Sequence, residues 1–336
     1  MRKVELLATD MTTDHRPLIS IIIPARNEEA SIPRVEAEIA QALYPLPYLF
    51  EFIVVDNNST DRTGELVKAI CARDARWRYL KFSRDFTVEM SITAGYHFAK
   101  GDAIVVLYSD LQDPPDVIPR LIEKWREGFD VVYGVRTVRP GDPKWRNLAA
   151  KIAYRLIAWS ADVPIPTDTG DFRLISRKVR DALEQCGEYN RYMRGLIAWL
   201  GFSQVGVTYE RRPRKAGISK APFWHLLFFV FNAMTSFSLK PLRLFTILGF
   251  TLIGLSLAAA AVYTYLYLTH TPPPGITTLI VLSFLGIGLN SLGIGVLGEY
   301  LGRTYSEVKR RPLYVIAESV NLEATTVART SAALSE

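Results

Sequence analysis

Carboxylates stand at several points where the chain turns abruptly from apolar to polar, a placement suited to holding a cation or reading a nucleotide. Asp110 and Asp113 follow the run Ala103-Ile104-Val105-Val106-Leu107, inside Ser109-Asp110-Leu111-Gln112-Asp113-Pro114-Pro115-Asp116. Asp56 closes Phe50-Glu51-Phe52-Ile53-Val54-Val55, and Glu28 lies just beyond Leu18-Ile19-Ser20-Ile21-Ile22-Ile23-Pro24. Oxygen donors of this kind suit magnesium or manganese. The same aspartates could simply cap a helix opened by Pro114-Pro115. Two strand-end carboxylates on one sheet edge favour a ligand crevice, one bonding a base or ribose and the other holding a metal on a diphosphate. A second chemistry is basic: Arg211-Arg212-Pro213-Arg214-Lys215-Ala216-Gly217-Ile218-Ser219-Lys220 could clamp a phosphate, with Gly217 and Ser219 letting backbone come close. Attraction to anionic lipid is the plainer use of such a run. Nucleic acid is set aside, because no aromatic residues interleave the charges.

The elements that must position these groups alternate in kind. Short β-branched runs ending near Pro24, Asp56, Phe82, Leu107 and Gly134 predict strands, with helical patterns over about 31–43, 64–73, 88–99 and 115–127 between them. That alternation predicts an α/β fold with a mainly parallel sheet. A Pro/Gly-containing basic loop (Arg136, Arg139, Lys144, Arg146) and an amphipathic helix with Leu148, Ile152, Leu156 and Trp159 follow. A strand near 171–175, helices near 178–185 and 192–200 and a strand near 205–209 complete this part. No phosphate loop of the Gly-x-x-x-x-Gly-Lys-Ser/Thr type is present, which argues against ATP or GTP hydrolysis. Cys71 and Cys186, and His15, His97, His225 and His270, share no metal-ligand spacing.

The chain of 336 residues is 49% hydrophobic with a net charge of +6, and both excesses are local. Two apolar stretches, 244–268 and 276–297, are long enough to cross a bilayer, separated by Thr271-Pro272-Pro273-Pro274-Gly275. Arg303, Lys309, Arg310 and Arg311 follow the second, so both termini are expected in the cytoplasm. Small residues in the second span, with Gly298-x-x-x-Gly302, would let helices pack closely, and a homo-oligomer is the expected assembly. The expected organisation is a flexible tail over 1–17, a catalytic domain over 18–221, an interfacial helix over 222–241, a two-span region over 242–300 and a cytoplasmic tail over 301–336, disordered from Ala317.

With these segments in order, the chain resembles the family 2 glycosyltransferases that act on polyprenyl phosphates, related to dolichol-phosphate mannose synthase and the bacterial GtrB-type enzymes. The resemblance rests on Ile22-Ile23-Pro24-Ala25-Arg26-Asn27-Glu28-Glu29, Val54-Val55-Asp56-Asn57-Asn58-Ser59-Thr60-Asp61, Ser109 to Pro115, Gly170-Asp171-Phe172-Arg173-Leu174 and the basic run. It implies a GT-A catalytic domain, interfacial helices and a two-helix transmembrane hairpin. It also implies inverting transfer of a sugar from a nucleotide diphosphate to a polyprenyl phosphate at the inner membrane. Carried over, Pro24, Ala25, Glu28, Asp56 and Ser109 would bind the donor, and Asp110, supported by Gln112, would hold magnesium or manganese on its diphosphate. Arg136 would meet a phosphate, and Asp171 would be the active-site carboxylate. Arg211, Arg212, Lys215, Ser219 and Lys220 would face the lipid phosphate. A UDP-hexose is the leading donor, with GDP-mannose the alternative.

Two departures stand out: Asp56-Asn57 where the family commonly has paired aspartates, and Tyr108-Ser109-Asp110 where it has Asp-x-Asp. Fewer charged ligands imply that metal and donor bind together. The acceptor phosphate is already an anion, so Asp171 is expected to position substrate rather than abstract a proton. A processive polysaccharide synthase is the competing enzyme, but the Gln-x-x-Arg-Trp segment and further spans of those proteins are missing. A membrane-bound sugar-nucleotide sensor without turnover is the non-enzymatic reading.

Overall fold

The computed structural model describes residues 16–136, 169–212, 240–269 and 275–322. Its centre is an eight-stranded sheet in the order β7-β5-β6-β4-β1-β2-β3-β8. The strands are β1 (Leu18–Ala25), β2 (Leu49–Asp56), β3 (Trp77–Phe82), β4 (Ala103–Val106), β5 (Val131–Arg136), β6 (Thr169–Ser176), β7 (Gln204–Tyr209) and β8 (Ile316–Val320). β2-β1-β4, β2-β3 and β5-β7 pair in parallel, whereas β6 runs antiparallel to both β4 and β5, and β8 to β3. The expected α/β class with a mainly parallel sheet is therefore observed.

The apolar runs form strands because both faces are covered. Every residue of β4 is buried, as are Ile19 to Ala25 of β1 and Phe50 to Asp56 of β2. Helices α1 (Ile32–Leu43), α2 (Thr63–Arg73), α3 (Val88–Phe98) and α4 (Ile118–Arg126) connect them. In α1 the buried residues Ile32, Val35, Ile39 and Leu43 recur at helical spacing, giving the stripe that packs on the sheet. Two shorter helices, α5 (Arg177–Glu184) and α6 (Met193–Trp199), lie between β6 and β7. The charged Glu51 inside β2 is tolerated because the Ser20 hydroxyl, the Lys100 N–H (2.6 Å) and Arg78 all meet its carboxylate.

β8 corrects the reading of a disordered tail from Ala317. Ile316–Val320 adds to the sheet edge, where Tyr314 stacks on Phe82 with ring centroids 5.1 Å apart and the Ser83 N–H donates to the Val315 carbonyl at 2.9 Å. Alternation too weak to read as a strand becomes one once β3 offers an open edge. Asn321 then ties the segment down by donating to the carbonyls of Cys71 and Trp77.

Residues 16–136, 169–212 and 311–322 make one compact unit; a second unit contains α7 (Lys240–Thr269) and α8 (Ile276–Val308). Both expected apolar stretches are thus helical. Among the described residues one segment, Phe245–Leu266, is long and apolar enough to cross a membrane. Gly293 of α8 lies against the Phe245 ring of α7, where a Cβ would sit 3.5 Å from it, while Gly298 and Gly302 face open space among the described residues. The amphipathic helix around Leu148–Trp159, the interfacial helix over 222–241, and Lys215, Ser219 and Lys220 lie outside the described residues.

Candidate active site

The carboxyl edges of β1, β2 and β4 open into a cleft of about 610 Å³. Of the residues singled out from sequence, Pro24, Ala25, Glu28, Ser109, Asp110, Arg136, Asp171 and Arg211 line it. The loops after β1 and β2 are stitched together at its rim. The N–H groups of Asn27 and Glu28 donate to the hydroxyls of Ser59 (2.9 Å) and Thr63 (2.8 Å), and the Thr60 N–H donates to Asn27 Oδ1 (2.9 Å). Thus the Arg26-Asn27-Glu28-Glu29 and Asn57-Asn58-Ser59-Thr60-Asp61 segments, distant in sequence, form one hydrogen-bonded wall.

Asp56, Gln112 and Arg212 do not line the cleft. Asp56 is wholly buried, its oxygens accepting from the Ser59 N–H and the Tyr79 hydroxyl, each at 2.7 Å. It holds the loop from behind. Gln112 is buried behind Asp110 and donates to it through Nε2 at 2.7 Å and through its own N–H at 3.1 Å. Leu111 between them sits at φ 53°, a left-handed conformation uncommon for a branched side chain, which turns the loop so that both groups of Gln112 reach the same carboxylate. The strand-end aspartate is therefore not a helix cap; Pro114 precedes the turn Pro115–Val117 with no side-chain cap. Arg212 pairs with Glu38 and Asp116 instead.

Asp171 is the most constrained acid of the cleft. Arg194 of α6 donates to it in a fork, Nε to Oδ1 at 2.8 Å and Nη2 to Oδ2 at 2.7 Å, and the Tyr108 hydroxyl donates to Oδ2 at 2.9 Å. Burial alone would push its carboxyl up; the Arg194 fork, the Arg173 charge and the Tyr108 hydroxyl overcome this and hold its pKa at about 2. The tyrosine standing where the resemblance leads one to expect an acid thus serves the other acid. Arg194 was not singled out from sequence, since a lone arginine on a short helix carries no signal until β6 places Asp171 opposite it. The Arg136 guanidinium lies against Gly170, so a Cβ there would push that guanidinium from its place.

Asp113, noted in the sequence only as a second acid of the Asp110 run, turns out to have a different place. It is wholly buried, accepts from the Tyr209 hydroxyl, and pairs with Arg136 (3.5 Å) and Arg211 (3.6 Å). Burial, then the like charge of Arg136, lowers the Arg211 pKa, while the Arg211 Nε atom is buried with no hydrogen-bond partner among the described residues. Arg136, Arg194 and Arg211 therefore gather at one end of the cleft and favour an anion there. No group of three or more His, Cys, Asp or Glu side chains suited to a metal occurs among the described residues. Asp110 is therefore a single carboxylate at the cleft, its oxygens accepting from Gln112.

The glycosyl transferase family 2 profile matches residues 20–183. The uncharacterised glycosyltransferase YkcC of Bacillus subtilis is 40% identical over 305 residues, covering 90% of this chain and 94% of that protein. A prophage-derived bactoprenol glucosyl transferase of Shigella flexneri is 38% identical over 303 residues, covering 90% and 98%. A solved structure of glucosyl-3-phosphoglycerate synthase from Mycobacterium tuberculosis, holding Mn2+, UDP-glucose and phosphoglyceric acid, is 20% identical with a TM-score of 0.44 over 66% of this chain and 79% of that one. So partial a likeness carries no argument about the site.

Proposed function

The chain belongs to glycosyltransferase family 2, and from that membership we propose that it transfers a hexose with inversion from a UDP-sugar to a polyprenyl phosphate at the cytoplasmic face of the plasma membrane. The bactoprenol glucosyl transferases among its relatives support the acceptor. The observation that carries the reading is the state of the cleft's acids. A hydroxyl acceptor needs a base, yet no histidine lines the cleft among the described residues, and Asp171, the cleft carboxylate gripped by Arg194, is a locked anion with a pKa of about 2. A phosphate acceptor needs no base, being ionised already, and three arginines beside Asp171 suit it.

Asp110, steadied by Gln112, is the residue to hold magnesium or manganese. Such a cation supplies charge neutralisation on the departing diphosphate. Arg136 and Arg211, spaced by the buried Asp113, bring acceptor and leaving-group phosphates together without letting the two guanidiniums repel one another apart. Asp171, fixed by Arg194, orients the sugar or acceptor and takes no proton. In the membrane, Phe245–Leu266 forms one span and residues 276–297 of α8 return the chain, leaving the basic residues Arg303, Lys309, Arg310 and Arg311 on the cytoplasmic side. Lys215, Ser219 and Lys220 would extend the phosphate side from the basic run.

The test is incubation of full-length protein in membranes with undecaprenyl phosphate, manganese and radiolabelled UDP-glucose or GDP-mannose. Label extracted into the organic phase, strongest with the UDP-sugar, is expected. Bound nucleotide with no labelled lipid would refute the reading and favour a sensor.

A further inference from the structure

The cleft is polarised. Asp110, Arg136, Asp171, Arg194 and Arg211 occupy the end built by the β4 loop, β5, β6 and α6, while Arg26, Asn57, Asp85 and Thr87 occupy the end built by the loops after β1, β2 and β3. If the arginine end takes the diphosphate, as the proposed function has it, the rest of an extended nucleoside diphosphate lies toward Asp85. The acid carried over by resemblance to that end, Asp56, has no exposed surface and both its oxygens engaged.

We propose that Asp85 is the residue that selects the donor's nucleobase, its carboxylate accepting the ring N–H of a base whose edge carries N–H beside a carbonyl, as uracil does. The Asp85 side chain is 44% exposed and lines the cleft. Its Oδ1 accepts from Asn57 Nδ2 (2.8 Å) and the Thr87 N–H (3.2 Å), and its Oδ2 pairs with Arg26. A carboxylate has about four acceptor positions, so one remains for a ligand.

Asn57 accounts for the arrangement. Its Oδ1 accepts from the Phe86 N–H at 2.8 Å, which turns its amide NH2 toward Asp85. An aspartate at 57 could not donate and would repel Asp85, so asparagine at this strand end is what lets the facing loop carry a carboxylate steadied against it. Thr87 next to it is held at φ 107°, a conformation that costs a β-branched residue energy and persists only where the surroundings enforce it. An ion pair as exposed as Arg26–Asp85 adds little stability, so that pair is not what keeps an acid at position 85. Chemically, a carboxylate attracts the N3–H of uracil and repels the N3 lone pair of cytosine. Guanine presents an N–H beside a carbonyl as uracil does.

The inference rests on the donor reading but is tested without lipid. Binding of UDP, GDP, CDP and inorganic pyrophosphate, each with manganese, is measured by calorimetry on detergent-solubilised full-length protein and on Asp85→Asn. Wild type is expected to bind UDP about ten- to a hundredfold more tightly than CDP, the range of one hydrogen bond to a charged group. In Asp85→Asn that ratio collapses and GDP weakens in step with UDP, while pyrophosphate affinity and the thermal midpoint stay unchanged. A UDP-to-CDP ratio that survives the substitution overturns the assignment and leaves the donor reading standing. Equal loss of pyrophosphate and UDP makes Asp85 a merely structural residue and overturns it too. Wild type that binds none of the nucleotides refutes both.

Discussion

Replacing Arg194 by alanine tests the locked state of Asp171. The substitution removes the fork at 2.8 and 2.7 Å, leaving the Tyr108 hydroxyl and the Arg173 charge against the burial that pushes the carboxyl up. The native pKa is about 2 against an ordinary 3.8. A gap of nearly two pH units corresponds to about 2 kcal/mol. The folded-state pKa is depressed, so this contribution is complete above about pH 4 and disappears as the pH falls through about 2. Thermal midpoints of wild type, Arg194→Ala, Asp171→Asn and the double variant, measured in detergent at pH 7, 5 and 3, give the coupling directly. Expected is a coupling of about 2 kcal/mol at pH 7 and 5, shrinking at pH 3. Coupling below about 0.5 kcal/mol at pH 7, or independent of pH, would falsify the assignment of Asp171 as an anion held by Arg194. The same lock predicts that kcat/KM of wild type has no limb between pH 5 and 8 that vanishes in Asp171→Asn. At a pKa of about 2, drawing a proton from a hydroxyl of pKa near that of water would be uphill by about 18 kcal/mol.

Asp110→Ala is expected to abolish metal-stimulated transfer to lipid; intact manganese dependence would show that the cation is held elsewhere. Arg211→Ala should raise the apparent KM for polyprenyl phosphate about tenfold or more through loss of a charged contact, with a smaller effect on the donor. Arg212→Ala, whose partners are Glu38 and Asp116 outside the cleft, should change acceptor KM little, and the reverse order of effects would contradict this placement. Tyr314→Ala, which removes a buried ring stacked on Phe82, should cost about 3 kcal/mol in a denaturation series, and a loss under about 1 kcal/mol would mean that β8 does not anchor the sheet edge.

The sequence by itself determined most of the sheet-forming runs, the place of Asp110 just beyond one of them and the separation of a polar α/β part from two apolar helices. Apolar periodicity and its abrupt interruption are local properties, and burial of those runs on both sides leaves little choice of structure. It also placed Asp171 and Arg136 among the cleft residues, through a resemblance carried by short ordered segments. Only the tertiary structure decided what each carboxylate does. Asp56, Asp85, Asp113 and Asp171 are alike in sequence, yet one braces a loop, one faces the cleft, one spaces two arginines and one is held by a third. Their partners, Tyr79, Asn57, Arg136 with Arg211, and Arg194, come from 23 or more positions away, and no local pattern encodes them. The strand order does, by setting β6 between β4 and β5 and so bringing Asp171 to the edge where the turn beyond β4 carries Asp110. The membership of Ile316–Val320 in that sheet was likewise hidden, because an edge strand is defined by the neighbour it pairs with.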